Sequence, residues 1–266
     1  MKNLVSIIIV TFNRKNDVVR CLDSVFKNNY DNFETIVVDN ASSDGTAEYL
    51  EEKYGNKINL VKSDKNLMAG GGRNLGTKHA KGEYLLFIDS DNIIDKTMIS
   101  ELILGIKKNK NAGMVGPIMY YLSDTKKIWW AGADINLWTS KTSYIGIDDY
   151  DKGQHNKITE VGHIPNVFLI KRSTWDEVGG IDADYVMHYE ESDLAEKVKR
   201  KGYKLYLIPD AKTWHNVPLS SDNTGRNFGA ESLKRIYYTS RNRIVFMKKN
   251  ANFFQFTFFF IFYYIK

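Results

Sequence analysis

The chain has a single cysteine, Cys21, in 266 residues. One thiol cannot form an internal disulfide, so a reducing compartment is its natural setting, and Cys21 falls on the apolar face of a helical stretch where core packing is its expected role. A large net charge of either sign is also lacking. The 37 Lys+Arg exceed the 32 Asp+Glu by only +5, which suits an anionic small substrate or an anionic membrane surface and gives no reason to expect nucleic acid. No G-x-x-x-x-G-K-[ST] occurs, which excludes a P-loop NTPase by motif, and no G-x-G-x-x-G follows the first strand pattern. Met1-Lys-Asn leads directly into that strand, without the apolar run and small-residue cleavage site of a signal peptide. No internal repeat is visible, and the phenylalanine-rich end is the one low-complexity tract.

What is present is an ordinary globular composition, 43% hydrophobic and 26% charged, long enough for one large domain or two closely packed halves. The first part alternates strand and helix patterns. Val5–Val10, Phe33–Val38, Ile58–Val61 and Tyr84–Ile88 read as strands, with helices following Val10, over Thr46–Tyr54 and over Gly70–Ala80. That alternation predicts parallel βαβ units and a Rossmann-like, mostly parallel open sheet flanked by helices. A helix over Asp95–Lys108 comes next. Met114–Met119, Pro165–Ile170 and Leu205–Ile208 are further strands, the last stopped by Pro209, and Glu190–Lys201 is a helix closed by Gly202. Trp129, Trp130 and Trp138 lie in a Gly/Ser/Thr-containing stretch that suggests hairpins or a long substrate loop, and Ser220–Gly229 reads as a polar loop.

Polar clusters sit where these elements end. Thr11-Phe12-Asn13-Arg14 follows strand one, Asp39-Asn40-Ala41-Ser42-Ser43-Asp44-Gly45 follows strand two, and Asp89-Ser90-Asp91 follows strand four. In an open α/β sheet the carboxyl ends of the strands border the ligand crevice. Paired carboxylates there suit a hard divalent cation such as Mg²⁺, completed by waters and substrate phosphates. Ser43 and Asp44 are equally good helix-capping residues, whereas Asp39 ends an apolar strand and points into the crevice. Asn66…Gly70-Gly71-Gly72-Arg73-Asn74 opens a helix, where glycines permit close backbone approach and Arg73 favours an anion.

In this order the clusters resemble the family 2 glycosyltransferases of GT-A fold, over residues 4–220. Within that family the likeness is to the rhamnosyltransferase-like subgroup that assembles cell-surface glycans. The resemblance implies an inverting transfer from a UDP-, dTDP- or GDP-linked sugar to a glycan or polyprenyl-linked acceptor, with Mg²⁺ or Mn²⁺ bound. By match of motif, Asp39 would contact the base, Arg73 the nucleotide or its phosphates, Asp89 the ribose side and Asp91 the metal. Asp89 is a second metal candidate, and Thr11, Asn13, Arg14, Asn66, Gly71 and Asn74 are the remaining substrate contacts. His188-Tyr189-Glu190-Glu191-Ser192-Asp193-Leu194 resembles the family's acidic motif, whose second acidic residue is the general base. Glu191 takes that place where many relatives carry Asp, with Glu190 as the alternative. His215 resembles a third metal ligand found in some of these enzymes. A sugar-1-phosphate nucleotidyltransferase would need a Gly-rich phosphate loop where Thr11–Arg14 stands, and a non-catalytic nucleotide-sugar-binding scaffold would need no base. The Gln-x-x-Arg-Trp pattern of processive synthases is missing.

The implied organisation is a glycosyltransferase domain over 1–225, with a nucleotide-binding half (1–92) and an acceptor or catalytic half (93–225), then a basic helix and aromatic tail over 226–266. The run Phe253–Ile265 is almost wholly apolar and aromatic but short of the roughly 20 residues of a spanning helix. It reads as an interfacial anchor, as the opening of a transmembrane segment, or as a core or partner-contact helix. Lys234, Arg235, Arg241, Arg243, Lys248 and Lys249 precede it, a bias that would keep the preceding domain at the cytoplasmic face of the membrane.

Overall fold

The computed structural model describes residues 3–216 and 233–264. Its first part is a run of β1 (Val5–Thr11), α1 (Lys15–Val25), β2 (Phe33–Asp39), α2 (Thr46–Tyr54), β3 (Asn59–Lys62), α3 (Met68–Thr77) and β4 (Tyr84–Asp89). β1 and β4 are buried along nearly their whole length, which is why they read as continuous β-branched and apolar runs rather than as alternating ones. β1 pairs in parallel with β2 and β4, and β2 with β3. The register sets Thr11 beside Asp39 and Val10 beside Asp89, so the polar ends predicted from sequence do share one sheet edge.

The glycines of α3 serve packing. A Cβ on Gly72 would stand 2.6 Å from Val10, and one on Gly76 2.6 Å from Ile8, so side chains there would lift α3 off β1. A Cβ on Gly71 would meet Leu67 of its own preceding turn at 2.9 Å.

The rest of the chain comprises β5 (Asn92–Ile94), α4 (Met98–Lys108), β6 (Ala112–Tyr121), β7 (Ile128–Trp130), β8 (Ala133–Ile135), β9 (Thr142–Tyr144), β10 (Thr159–Val161), β11 (Phe168–Lys171), α5 (Arg172–Val178), α6 (Glu190–Arg200), β12 (Lys204–His215), α7 (Leu233–Asn250) and α8 (Phe253–Phe259). The main sheet has ten strands in the order β10-β12-β6-β11-β4-β1-β2-β3, with β5 on β12 and β7 on β6. It is mixed, which corrects the expectation of a mostly parallel sheet. β11 runs antiparallel to both β4 and β6, and β10–β12, β5–β12 and β6–β7 are antiparallel as well. Connectivity divides the pairs: β6 and β12, with α5 and α6 between them, still pair in parallel, whereas the short strands β5, β7, β10 and β11 pair antiparallel.

Two further expectations are corrected. Pro209 does not end its strand. β12 runs on to His215, and the ladder with β6 absorbs the proline as an irregularity between Ile208 and Lys212, the place where a strand tolerates a residue without N–H. The fourth helix starts at Met98, because Asp95 accepts from the Thr97 N–H at 2.8 Å and holds a turn before it. The aromatic run is helical, as expected: Asn252 caps α8 with a reciprocal Gln255 bond, and the helix continues as a π-turn over Phe260–Tyr264. The tryptophan stretch does contain a hairpin, β8–β9. The expected loop Ser220–Gly229 and the boundary between 225 and 226 lie outside the described residues.

Candidate active site

Four segments converge on the carboxyl edge of β1, β2 and β4. Asp39, at the end of β2, is buried. Its Oδ2 accepts from the Ser42 N–H at 3.0 Å, while Oδ1 has no hydrogen-bond partner among the described residues. A buried carboxylate oxygen without a partner is costly and is a natural acceptor for a ligand N–H or hydroxyl. Thr11 beside it is also buried, its hydroxyl without a partner among the described residues. Asn13 and Asn66 turn to the protein instead. Asn13 Oδ1 accepts from the Ser43 N–H at 2.7 Å, tying two loops together, and Asn66 Oδ1 accepts from the Met68 N–H at 2.8 Å. Asn74 clasps the backbone of Ile181 through both ends of its amide, at 2.7 and 3.1 Å.

Arg73 is the centre of the site. Carried by α3 and only 2% exposed, it pairs with Asp89 Oδ1 at 2.6 Å and with Glu191 Oε1 at 2.7 Å, above the Phe168 ring. Burial works against its charge, but Asp89, Glu191 and Glu190 outweigh it and raise the guanidinium's pKa further. Asp89 itself is pushed up to about 6 by its recessed setting, with Arg73 opposing and Glu191 and Asp91 adding to the rise.

Glu191 arrives on the first turn of α6. Both its protein contacts fall on Oε1, from Arg73 and from the Asn166 N–H at 3.0 Å, leaving Oε2 without a partner among the described residues. Glu190 beside it is raised to about 7, first by burial and then by the charge of Glu191. A carboxyl whose folded value lies above its unfolded value of 4.5 contributes stability that is complete below 4.5 and lost as pH rises through about 7. Glu190→Gln is therefore expected to gain on the order of 1–2 kcal/mol of stability at pH 8 and nothing at pH 4. Urea denaturation at the two pH values measures this, and a loss at pH 8 would contradict it.

Asp91 and His215 form the second pair. β5 runs antiparallel to β12 and sets His215 opposite Asn92, which brings His215 Nε2 to 3.3 Å from Asp91 Oδ1. Arg14, half exposed, reaches Asp91 Oδ2 at 3.2 Å. Burial raises the Asp91 carboxyl, but the hydrogen bond and charge of His215, with Arg14, outweigh it and leave it below the usual carboxylate range. No group of three or more His, Cys, Asp or Glu among the described residues stands ready to hold a metal. The chemistry of the pair nevertheless fits one. A carboxylate and an imidazole already in contact suit Mn²⁺ or Mg²⁺ when phosphates and waters supply the other positions. Asp89, turned to Arg73, stands apart from that pair.

Asn166 was not anticipated from sequence. It adopts φ 60°, donates its N–H to Glu191, and sets its amide 3.3 Å from both ring nitrogens of His215. The Pro165-Asn166 step was the only local signal, since asparagine tolerates the left-handed region. Beside these residues opens a cavity of about 630 Å³, walled by Trp129, Tyr144 and Tyr189 and reaching α7 at Ser240. His163 also lines it, buried and depressed to about 4 by desolvation. Of the other tryptophans, Trp130 is core and Trp138 packs edge-on against Phe258 at 5.6 Å.

A polar sheet edge, a carboxylate–imidazole pair and a carboxylate beside a cavity thus lie together. The model of glycosyl transferase family 2 matches residues 6–179. The chain belongs to that family. It is 26% identical to the amylovoran biosynthesis glycosyltransferase AmsB of Erwinia amylovora, over 85% of this chain and 71% of AmsB. It is 23% identical to glycosyltransferase GlyG of Streptococcus pneumoniae, over 67% of this chain and 60% of GlyG. The fold is similar to that of the mannosyltransferase PcManGT from Pyrobaculum calidifontis, solved with GDP-Man and Mn²⁺. The TM-score is 0.66 and the identity 18%, covering 95% of this chain and 66% of that one. The α/β GT-A-like fold expected from the motifs is thus present. The family match ends before α6, so the placing of Glu191 rests on geometry.

Proposed function

We propose that this family 2 glycosyltransferase moves a sugar, with inversion, from a UDP-, dTDP- or GDP-linked donor to a hydroxyl of a glycan or lipid-linked acceptor. The observation that carries the reading is the bridge of Arg73 between Asp89 and Glu191. It couples the donor edge to a carboxylate at the mouth of a cavity with aromatic walls. Asp39 Oδ1 and Thr11 would take the nucleoside, and Arg14 and Arg73 would lie towards the diphosphate. Glu191 Oε2 would accept the acceptor's hydroxyl proton as that oxygen bonds to the anomeric carbon, and the anomeric bond to the nucleoside diphosphate breaks. Asp91 and His215 would hold Mg²⁺ or Mn²⁺; when bound, the ion supplies charge neutralisation for the diphosphate leaving group. The AmsB likeness supports a place in polysaccharide assembly.

The test is a panel of nucleotide-sugars scored for Mn²⁺-dependent thermal stabilisation, since selective binding raises apparent stability by mass action. One donor class is expected to respond in the wild type, and Asp91→Ala is expected to lose the metal-dependent part together with turnover. A flat wild-type response would overturn the nucleotide-sugar reading, whereas a response without turnover would favour a non-catalytic nucleotide-sugar-binding scaffold.

We propose further that α8 rests on the cytoplasmic face of a membrane. Phe253 and Phe254 are 77% and 73% exposed, and Ile261 and Phe262 50% each. No described helix is long and apolar enough to cross a bilayer, so the reading is of an interfacial contact. Some of the preceding basic residues serve the fold: Arg241 binds the Asp184 carbonyl, Arg243 the Thr139 carbonyl, and Lys249 pairs with Asp182. Cosedimentation with anionic vesicles is expected for the wild type and not for a Phe253→Ser/Phe254→Ser variant.

A further inference from the structure

The segment that delivers Glu190 and Glu191 has an unusual backbone. Val186, His188 and Tyr189 take φ values of 63°, 63° and 68°, a region that is sparsely populated for side-chain-bearing residues and most unfavourable for a β-branched one. Such a path persists only where the surroundings over-determine it. Here the surroundings are supplied by α7, which lies far along the chain and beyond the matched family region. Asn242 is fully buried, and its Nδ2 donates to the carbonyl oxygens of Tyr185, Met187 and His188 at 2.5, 2.6 and 3.2 Å. One turn on, Phe246 packs its ring against Tyr189, with centroids 5.3 Å apart. A further turn on, Asn250 donates to Asp193 Oδ1 at 2.9 Å, an oxygen that also accepts from the Tyr185 hydroxyl. Residues spaced by four meet on one side of a helix, so a single side of α7 grips the chain immediately before and after the two glutamates.

We propose that α7 is the clamp that sets the catalytic carboxylate, with Asn242 as its principal positioning residue. The three carbonyls gathered by Asn242 belong to the strained turn itself; that of Tyr185 also accepts from the Met187 N–H, but those of Met187 and His188 would lose this donor without the amide. The turn would then relax toward ordinary backbone and swing the first turn of α6. Glu191 would lose its alignment with Arg73 and the cavity, while the nucleotide edge at Asp39 and Asp91, carried by other elements, would stay in place. The proposal rests on the reading of Glu191 as the base.

The experiment compares Asn242→Leu, a near-isosteric change without donors, and Phe246→Leu with Met247→Ala. Met247 packs in the same apolar cluster as Tyr185, Phe246 and Phe259, and Met247→Ala serves as a control for lost stability alone. Turnover is read as nucleoside diphosphate released from UDP-glucose, UDP-N-acetylglucosamine or GDP-mannose with Mn²⁺, and the backbone by amide hydrogen exchange over residues 186–191. Misplacing a reacting group by about 1 Å costs roughly 100-fold, so Asn242→Leu is expected to lower kcat on the order of 10- to 100-fold. Donor KM should stay within about twofold, because nucleotide binding is not touched. Exchange over 186–191 should quicken in both clamp variants and not in Met247→Ala. Should Asn242→Leu fail to fold, Phe246→Leu carries the same test with a smaller loss of kcat. Quickened exchange with unchanged kcat overturns the positioning role, as does an equal kcat loss in Met247→Ala. Full turnover by Glu191→Gln would instead overturn the base assignment and leave the exchange result standing.

Discussion

Glu191→Gln is expected to reduce transfer by roughly 10²–10⁴-fold, the range a positioned general base contributes, while leaving metal-dependent nucleotide binding largely intact. The amide keeps the size of the side chain and one acceptor oxygen, so the Asn166 N–H can still find a partner. What it loses is the oxygen able to take a proton, and with it the counter-charge to Arg73. Steady-state kinetics and nucleotide titration separate the two effects. A fall in kcat with binding preserved is the expected pattern, and an equal loss from Glu190→Gln would move the base one residue back. Geometry favours Glu191, because it alone of the two is held by both Arg73 and Asn166. Glu190 is instead a carboxyl raised to about 7, its buried Oε2 without a partner among the described residues.

The parts of this site that could be read from sequence are those fixed by local pattern. A β-branched run announces its own strand, and in a parallel βαβ unit the residue that ends the strand lies at the ligand edge. Asp39 and Asp89 were legible for that reason, and β1–β2 and β1–β4 pairing confirmed their common edge. Gly72 and Gly76 show the opposite case. Both are glycine because Val10 and Ile8 press against α3, a contact between segments that are distant in sequence, and a glycine cluster read locally looks like a ligand loop. Pro209 stops a strand by propensity, yet β12 continues because its neighbour β6 supplies a ladder on either side of the irregularity. Asn166 acts on the side chains of Glu191 and His215 and Asn242 on backbone carbonyls of a distant turn, and such partners leave no periodic trace. The aromatic tail hid a similar division. Phe246 and Phe259 are core, while Phe253 and Phe254 face outward, a distinction that depends on how α7 and α8 dock.

Arg73→Met should be the most destabilising single change in the site. The guanidinium is nearly inaccessible and stands between two carboxylates at 2.6 and 2.7 Å. Removing one partner of a buried charged group leaves the others uncompensated, at a cost of about 3–5 kcal/mol. Methionine fills most of the volume against Phe168, so cavity formation adds little and the loss is chiefly electrostatic. The pH dependence distinguishes this from a packing defect. Asp89 is already raised to about 6 with Arg73 present, and without the cation its folded value must rise further. A carboxyl raised in the folded state destabilises it only where the unfolded chain is ionised, so the deficit is full above the folded value and disappears below the unfolded one. Denaturation of Arg73→Met is therefore expected to approach that of wild type as pH falls from 8 toward 4, whereas a packing defect would keep its deficit throughout. Arg73→Lys sharpens the point: one ammonium retains the charge but lacks the planar fork that reaches both Asp89 and Glu191. It should recover much of the stability and little of the turnover, because in the proposed mechanism the arginine both neutralises the two carboxylates and holds the donor edge in register with the base.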